Sequence, residues 1–367
     1  MGYKIFVINP GSTSTKLAYF DDETKLFETN VFHDAPELLK FKEIKDQFGY
    51  RMDVIERFLA DNNIDLTGVD AIVGRGGSSY SVEGGVYAVT DRLIEDTMNA
   101  VGGIKHPCNL GCALANALCR KYGGVALMVE SPNTDEYQDV ARLTGIKGVH
   151  RASAIHALNH KGTVRLHCRR VGVRYEDGNY IVCHIDGGIS IAAHCRGKMI
   201  DATTAGQGEG PFTPTRIGSL PVNTVIKVIE EQGMDALRDY VIRTGGLVSY
   251  FGTSNSDKVH ALVEQGDPKA SLVWEAIGYN ICKAIGSMAA VLGGKVDGIV
   301  LGGGLLRFAD LVQQIRDNCE WIAPVYAYPG EVEHETMAEG ALRVLRGEET
   351  PQVYSGRPVW DGFAWEE

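Results

Sequence analysis

Apolar and polar residues fall in short blocks along this chain, and the period of the blocks changes repeatedly. Lys4–Asn9 reads KIFVIN, a β-rich run followed by PGSTST and then by KLAYF. Two strands joined by a turn of small residues are expected there. Val182–Ser190 (VCHIDGGIS), followed by IAAHC, RGK and MIDAT, predicts a similar layout: strand, glycine turn, strand, tight turn, strand. Two such units half a chain apart predict a duplicated architecture. Ala71–Val73 is a further strand, ending at GRGG, and Val125–Val129 (VALMV) is a continuous apolar run suited to a buried strand.

Helices are expected over Ala152–Arg170, Leu220–Gln232, Met234–Arg243, Phe308–Asn318 and Glu331–Leu345. Asp267–Leu292 is a long helix, opened by Asp-Pro and closed by Gly-Gly. Strands Asp297–Leu301 and Ala323–Tyr328 lie among them, the first leading into Gly302, Gly303 and Gly304. The C-terminal PQVYSGRPVWDGFAWEE, with turn residues and aromatics, is expected to pack as a tail on the surface. Strands interleaved with helices make the class α/β. No GxGxxG follows the first strand and no GxxxxGK[ST] occurs, which argues against a Rossmann dehydrogenase and a P-loop protein.

Composition narrows this. A chain of 367 residues suits two domains, and 44% hydrophobic with 23% charged residues fits a globular enzyme. No run of eighteen apolar residues predicts a membrane span. MGYKIFVINPGS lacks the features of a signal peptide, so a cytoplasmic protein is expected. The net charge of −11 disfavours nucleic acid as a partner. It also requires any phosphate site to rely on local Arg, Lys, backbone N–H groups and a metal. The eight cysteines include no CxxC pair, and His106, Cys108 and Cys112 fit no common zinc spacing, so free thiols are expected.

Several segments are candidates for chemistry. In Asn9-Pro-Gly-Ser-Thr-Ser-Thr-Lys16, small hydroxylated residues and turn N–H groups suit a phosphate, Asn9 a hydrated magnesium, and Lys16 an anion; taken alone, a polar hairpin turn is the plainer reading. Arg75, between glycines at a strand end, matches a carboxylate or phosphate bidentately, unless it is a solvated surface turn. Cys183-His184-Ile-Asp186-Gly-Gly-Ile-Ser190 places backbone donors beside His184 and Asp186, where a hairpin with a half-buried histidine is the plainer reading. Glu209-Gly-Pro-Phe-Thr-Pro-Thr-Arg216 is a stiff loop that can hold Arg216 at a transferring phosphoryl group. Gly302–Gly304 allow close approach of a ligand, or only a tight turn.

The order of these segments is more specific than any one. INPGSTSTK, GRGG, HPCNLG, IHALNHK, HIDGGISIAAH, GEGPFTPTRIGSLP, GGLVSYFGT, EAIGYNICKAIGSMAAVL, VLGGG and APVYAYPGE…EGALRVLRGE run over nearly the whole chain. In this order they resemble the butyrate kinase branch of the acetate kinase family. The resemblance implies duplicated actin-like (ribonuclease H-like) domains, mixed sheets flanked by helices, with an interdomain nucleotide cleft. The expected domains are 1–178, on the acyl side, and 179–367, on the nucleotide side, with the last helix free to pack back on the first.

The implied reaction is reversible transfer of phosphate between ATP and a short-chain carboxylate, butanoate foremost, giving ADP and the acyl phosphate. Arg75, His184 and Arg216 are the implied catalytic residues. Asn9, Ser12, Ser14, Lys16, Gly187, Gly188, Gly302, Gly303 and Gly304 are implied around the nucleotide. Magnesium is implied at Asn9 and at an acid opening the last helix: Glu333, with Glu331 and Glu335 as alternatives. A homo-oligomer, dimer or larger, is expected, with no membrane partner. Two positions depart from the family's pattern. Ser131-Pro132 stands where the family has Asp-Pro, and Asp186 replaces the first glycine of HxGGG. A magnesium-positioning role for Asp186 is the expectation drawn from that exchange. A kinase for another short or branched acid, and a nucleotide-binding homologue with little turnover, stay open as alternatives.

Overall fold

The computed structural model describes residues 2–366. Its contacts divide the chain into two compact units, one comprising the chain through Asp135 together with the segment from Val332 onward, the other Glu136–Glu331. The division thus falls at Asp135 and Glu136, earlier than the expected 178. The reason is the helix Ala157–Val171, which packs on strands of the second sheet.

The first unit holds strands β1 (Lys4–Pro10), β2 (Ser14–Asp21), β3 (Thr24–Phe32), β4 (Ala71–Gly74), β5 (Val86–Ala88) and β6 (Val125–Val129). The second holds β7 (Asn179–Ile185), β8 (Ile189–Cys195), β9 (Lys198–Ala202), β10 (Gly298–Gly303) and β11 (Val325–Pro329). A short β12 (Gln352–Val353) returns to the first unit. The sheet orders are β12-β5-β6-β4-β1-β2-β3 and β11-β10-β7-β8-β9. In each, a three-stranded antiparallel meander, β1-β2-β3 or β7-β8-β9, continues into two parallel strands, β4 and β6 or β10 and β11. The same layout twice is the duplication expected from the sequence.

Apolar residues on the strands place the cores. In the first unit Phe6, Ile8, Leu17 and Ile72 pack with Ile55 and Leu59 of the helix Phe48–Asp61 and with Leu114 and Leu118 of the helix Gly111–Tyr122. The helix Glu333–Leu345 packs on β1 and β6, which places Glu333 near the ends of these strands. In the second unit the helix Pro268–Val291 buries Trp274, Ile277, Ile281 and Ile285 against β7, β8 and β10 residues. Asp267 caps it, accepting the Ala270 N–H (2.7 Å), and Pro268 occupies its first turn, where a missing N–H costs nothing.

Three expectations change. The helix expected from Ala152 begins at Ala157, because His156 is held outside it with φ −85° and ψ 60°. The segment after Met234 is helical only to Asp239 and then widens into a π turn, Tyr240–Thr244. The C-terminal segment does more than lie on the surface. β12 pairs with β5, and Tyr354 accepts from the Tyr80 N–H (3.1 Å) while donating to Asp96 Oδ2 (2.9 Å). Among the described residues no helix is long and apolar enough to cross a membrane, and all eight cysteines are free thiols.

Candidate active-site residues in the two units

In the first unit, β1 ends at the predicted Pro-Gly-Ser-Thr turn, closed by Gly11 N–H donating to the Ser14 carbonyl (2.7 Å). Ser12 is exposed on it, Ser14 is buried and Lys16 half-buried. Behind the turn lies Arg51, fully buried. It donates to the Gly11 carbonyl (2.9 Å), to Thr15 Oγ1 (3.1 Å), to Gln47 Oε1 (3.0 Å) and to His33 Nε2 (3.1 Å). Burial, with the charge of Arg51 beside it, holds His33 down at about 4. The ring is therefore neutral, and because Nε2 accepts from Arg51, the proton sits on Nδ1, an atom buried without a partner. Nothing in the local sequence pointed to Arg51, since its partners are spread over four segments.

Asn9, Arg75 and Glu333 come together through side-chain hydrogen bonds. Asn9 Nδ2 donates to Glu333 Oε2 (2.7 Å), and Arg75 Nη1 donates to Glu333 Oε1 (2.7 Å). Burial alone would raise the Glu333 carboxyl, but Arg75, Asn9 and Lys16 override it and hold it near 2. Of the alternative acids, Glu335 pairs with Lys25 (2.6 Å), and Glu331 is the last residue of the second unit. His106 and Cys108 lie close enough to Arg75 to feel its charge; burial first, and Arg75 next, lower His106. Ser131 is buried in a turn, its Oγ accepting the Asn133 N–H (3.2 Å).

One ionised carboxylate beside one amide is a donor set that suits magnesium. That ion takes one or two carboxylates and fills the rest of its octahedron with water and phosphate oxygens. Among the described residues, no three His, Cys, Asp or Glu side chains form a metal cage.

In the second unit, β7 delivers His184 and turns through Asp186, Gly187 and Gly188 into β8. The ring of His156 lies 4.3 Å from that of His184, centroid to centroid. A methyl group on Gly188 would sit 2.6 Å from Arg216 Nη1 and 3.0 Å from the His156 ring, so only glycine leaves room for the two. Arg216 is presented by the predicted stiff loop. Thr213 Oγ1 accepts the N–H of Arg216 (3.1 Å), and the Thr213 N–H donates back to the Arg216 carbonyl (3.0 Å). The Arg216 Nε is buried with no partner, and among the described residues its guanidinium forms no ion pair. Burial lowers its pKa.

His156 is the residue that sequence reasoning missed, although IHALNHK carries it. Its ring is fixed by a buried chain of contacts. His156 Nδ1 lies 2.8 Å from Ser190 Oγ, and His160 Nε2 lies 2.8 Å from the same oxygen. His160 Nδ1 then meets His194 Nε2 at 3.4 Å, and His194 Nδ1 meets the Tyr175 hydroxyl at 2.7 Å. Burial pushes His160 down to about 3 and His194 well below its ordinary value, so both are neutral. If Tyr175 donates at one end, each ring passes one hydrogen bond along and His156 ends with a proton on Nε2. That choice makes Nε2 of His156 a donor.

The glycine triplet closes β10. Gly303 has φ +112°, open only to glycine at low cost, and a side chain on Gly302 would meet Thr163 Oγ1 at 2.7 Å. Gly304 donates its N–H to Asp186 Oδ2 (2.6 Å), and Gly187 donates to Asp186 Oδ1 (2.7 Å).

Two mixed sheets flanked by helices, laid out alike in the two units, define a duplicated α/β protein. Solved structures share that fold: Porphyromonas gingivalis acetate kinase matches with TM-score 0.77 at 18% identity, over 94% of this chain and 100% of its own. A propionate kinase from Francisella tularensis matches with TM-score 0.73 at 17% identity, over 92% and 98%. Entamoeba histolytica acetate kinase gives TM-score 0.75 at 14% identity, over 94% and 100%. The acetokinase family model matches residues 137–320, half of the chain and most of its second unit. The chain belongs to the acetokinase family, a family of carboxylate kinases.

Proposed function

We propose that this protein is an ATP-dependent butyrate kinase, transferring the γ-phosphoryl group of ATP to butanoate and, in reverse, from butanoyl phosphate to ADP. The observation that carries the phosphoryl-transfer reading is Arg216, a half-buried cation that forms no ion pair among the described residues, set with His156 and His184 over Gly188. Phosphoryl transfer asks an enzyme chiefly for positioned charge and hydrogen-bond donors. Butanoate as the acid rests on the order of the ten sequence segments, which follows the butyrate kinase branch.

In this reading a carboxylate oxygen forms the new O–P bond as the bond from the γ-phosphorus to the ADP oxygen breaks. Arg75 holds the acid's other oxygen and Arg216 bears the charge of the three equatorial oxygens. His184 and the Nε2–H of His156 donate to those oxygens. Asn9 and Glu333 would hold magnesium, which would neutralise phosphate charge. Ser12, Ser14 and Lys16 with the 187–188 and 302–304 glycines serve the nucleotide.

The test is acyl phosphate formation, trapped as hydroxamate, with ATP, magnesium and acetate, propionate, butanoate or isobutyrate. Butanoate should give the highest kcat/KM. A higher value with acetate overturns the acid assignment. Nucleotide binding without acyl phosphate from any acid would identify a binding homologue instead.

A further inference from the structure

Asp186 is the residue the preceding reading leaves unexplained. It stands in the turn between β7 and β8, half-exposed, and its carboxylate meets no cation among the described residues. Both of its oxygens are instead satisfied by backbone N–H groups. Oδ1 takes the N–H of Gly187, in its own turn, at 2.7 Å. Oδ2 takes the N–H of Gly304, at the end of β10 and 118 residues away, at 2.6 Å. A methyl group on Gly304 would lie 2.7 Å from that same oxygen, so the carboxylate sits directly against the second turn.

Backbone N–H groups of glycine turns are the donors that proteins use for phosphate oxygens. Short contacts between such donors and an anionic oxygen are charge-assisted and strong. Here two of them, one from each glycine turn of the second unit, are already spent on an anion that the chain carries itself. A phosphate arriving at these turns meets two occupied donors and a negative charge between them.

We propose that Asp186 is an internal anion that occupies the donors of both glycine turns and thereby sets a weak affinity for nucleotide. It is a specificity-determining residue for the nucleotide site and rests on the kinase reading above. Nucleotide phosphates bind beside it, or after the side chain has swung off Gly304, and each route costs affinity. A cation between the two anions relieves the repulsion, so the penalty is largest when magnesium is absent. The magnesium-positioning role expected from the sequence makes the opposite forecast, since a lost metal ligand weakens the magnesium complex.

The experiment is calorimetric titration of ADP into the full chain and into Asp186→Asn and Asp186→Gly, once with magnesium and once with EDTA. Asn keeps an oxygen for one N–H and removes the charge. Thermal melts of both variants report folding. The proposal expects ADP to bind about tenfold more tightly to Asp186→Asn with magnesium, and by a larger factor in EDTA, because like charges repel most without a bridging cation. Equal Kd values for the variants and the parent overturn the assignment, as does weaker binding confined to the magnesium titration. Failure of parent and variants alike to bind ADP overturns the kinase reading together with this one. Binding by both without any acyl phosphate in the parallel assay overturns the kinase reading alone.

Discussion

Replacing Glu333 by Gln isolates the charge at the centre of the first unit's site while keeping its shape. Glu333 Oε1 accepts from Arg75 and Oε2 from Asn9, each at 2.7 Å, and the Arg75 and Glu333 side chains are only 14% and 16% exposed. The carboxyl is held near 2 despite its burial. Against an ordinary glutamate near 4.3, a depression to that level corresponds to roughly 3 kcal/mol of stability at neutral pH. Removing one partner of a buried pair costs about 3–5 kcal/mol by comparison with other proteins, which agrees with the lower end.

The sign follows from the direction. A depressed carboxyl stabilises the folded chain fully above its unfolded pKa, and the contribution fades as pH falls from about 4.3 through about 2. At pH 3 about half should remain. The assay is urea unfolding of both proteins at pH 7 and pH 3, followed in the transition of the first unit, because two units need not unfold together. Glu333→Gln should be about 3 kcal/mol less stable at pH 7, with the gap about halved at pH 3. A gap below 1 kcal/mol at pH 7, or one undiminished at pH 3, would refute the pairing as the source of the shift.

Arg75→Ala should raise the KM for the acid by more than tenfold, with the ATP KM little changed, since a charge-assisted contact contributes about 1.5–3 kcal/mol; unchanged acid kinetics in a folded variant would remove Arg75 from the acid site. Arg216→Lys should lower kcat by roughly 10²-fold, because an ammonium cannot reproduce the planar fork, and near-parental turnover would exclude the role given to Arg216. Ser190→Ala strips the one hydroxyl between His156 and His160, and it should cost about 1–3 kcal/mol in a melt while lowering kcat. Parental melting and turnover together would show that the histidine chain does not position His156.

How legible this was from sequence depended on how local each signal is. The helix Pro268–Val291 was legible at both ends, through Asp-Pro and Gly-Gly. β1, β7 and β10 were legible as apolar runs ending in glycine or proline turns. β3 was not, because TKLFETNVF is an edge strand whose exposed positions carry Lys25 and Glu28. Such charges protect an edge and also hide it from pattern reading. β12 is two residues long and exists only through β5. The helix at Ala157 starts late, with His156 held outside it in an irregular backbone and its ring against that of His184. Arg75, Glu333 and Arg216 could be named from motif order. His156 could not be separated from its neighbours until Ser190, 34 residues on, fixed its ring.

The chain's charge makes its arginines informative. With a net charge of −11, acids are abundant, and a buried cation ordinarily finds one. Arg75 does, in Glu333. Among the described residues Arg51 and Arg216 do not. There Arg51 meets only neutral acceptors, and burial lowers it to about 10; Arg216 makes no hydrogen bond through its guanidinium, and burial lowers it too. Each gives up solvation that no carboxylate among the described residues restores. That cost is offset if an anion arrives. Arg51 stands behind the turn that carries Ser12, Ser14 and Lys16, and Arg216 stands over Gly188 beside His156. Arg51 and Arg216 therefore lie at the two turns where the sequence leads one to expect phosphate. Asp186, seated on the second of these turns, takes backbone N–H donors rather than the Arg216 guanidinium, which is why its charge is expected to act on nucleotide affinity while the transferring group keeps its arginine.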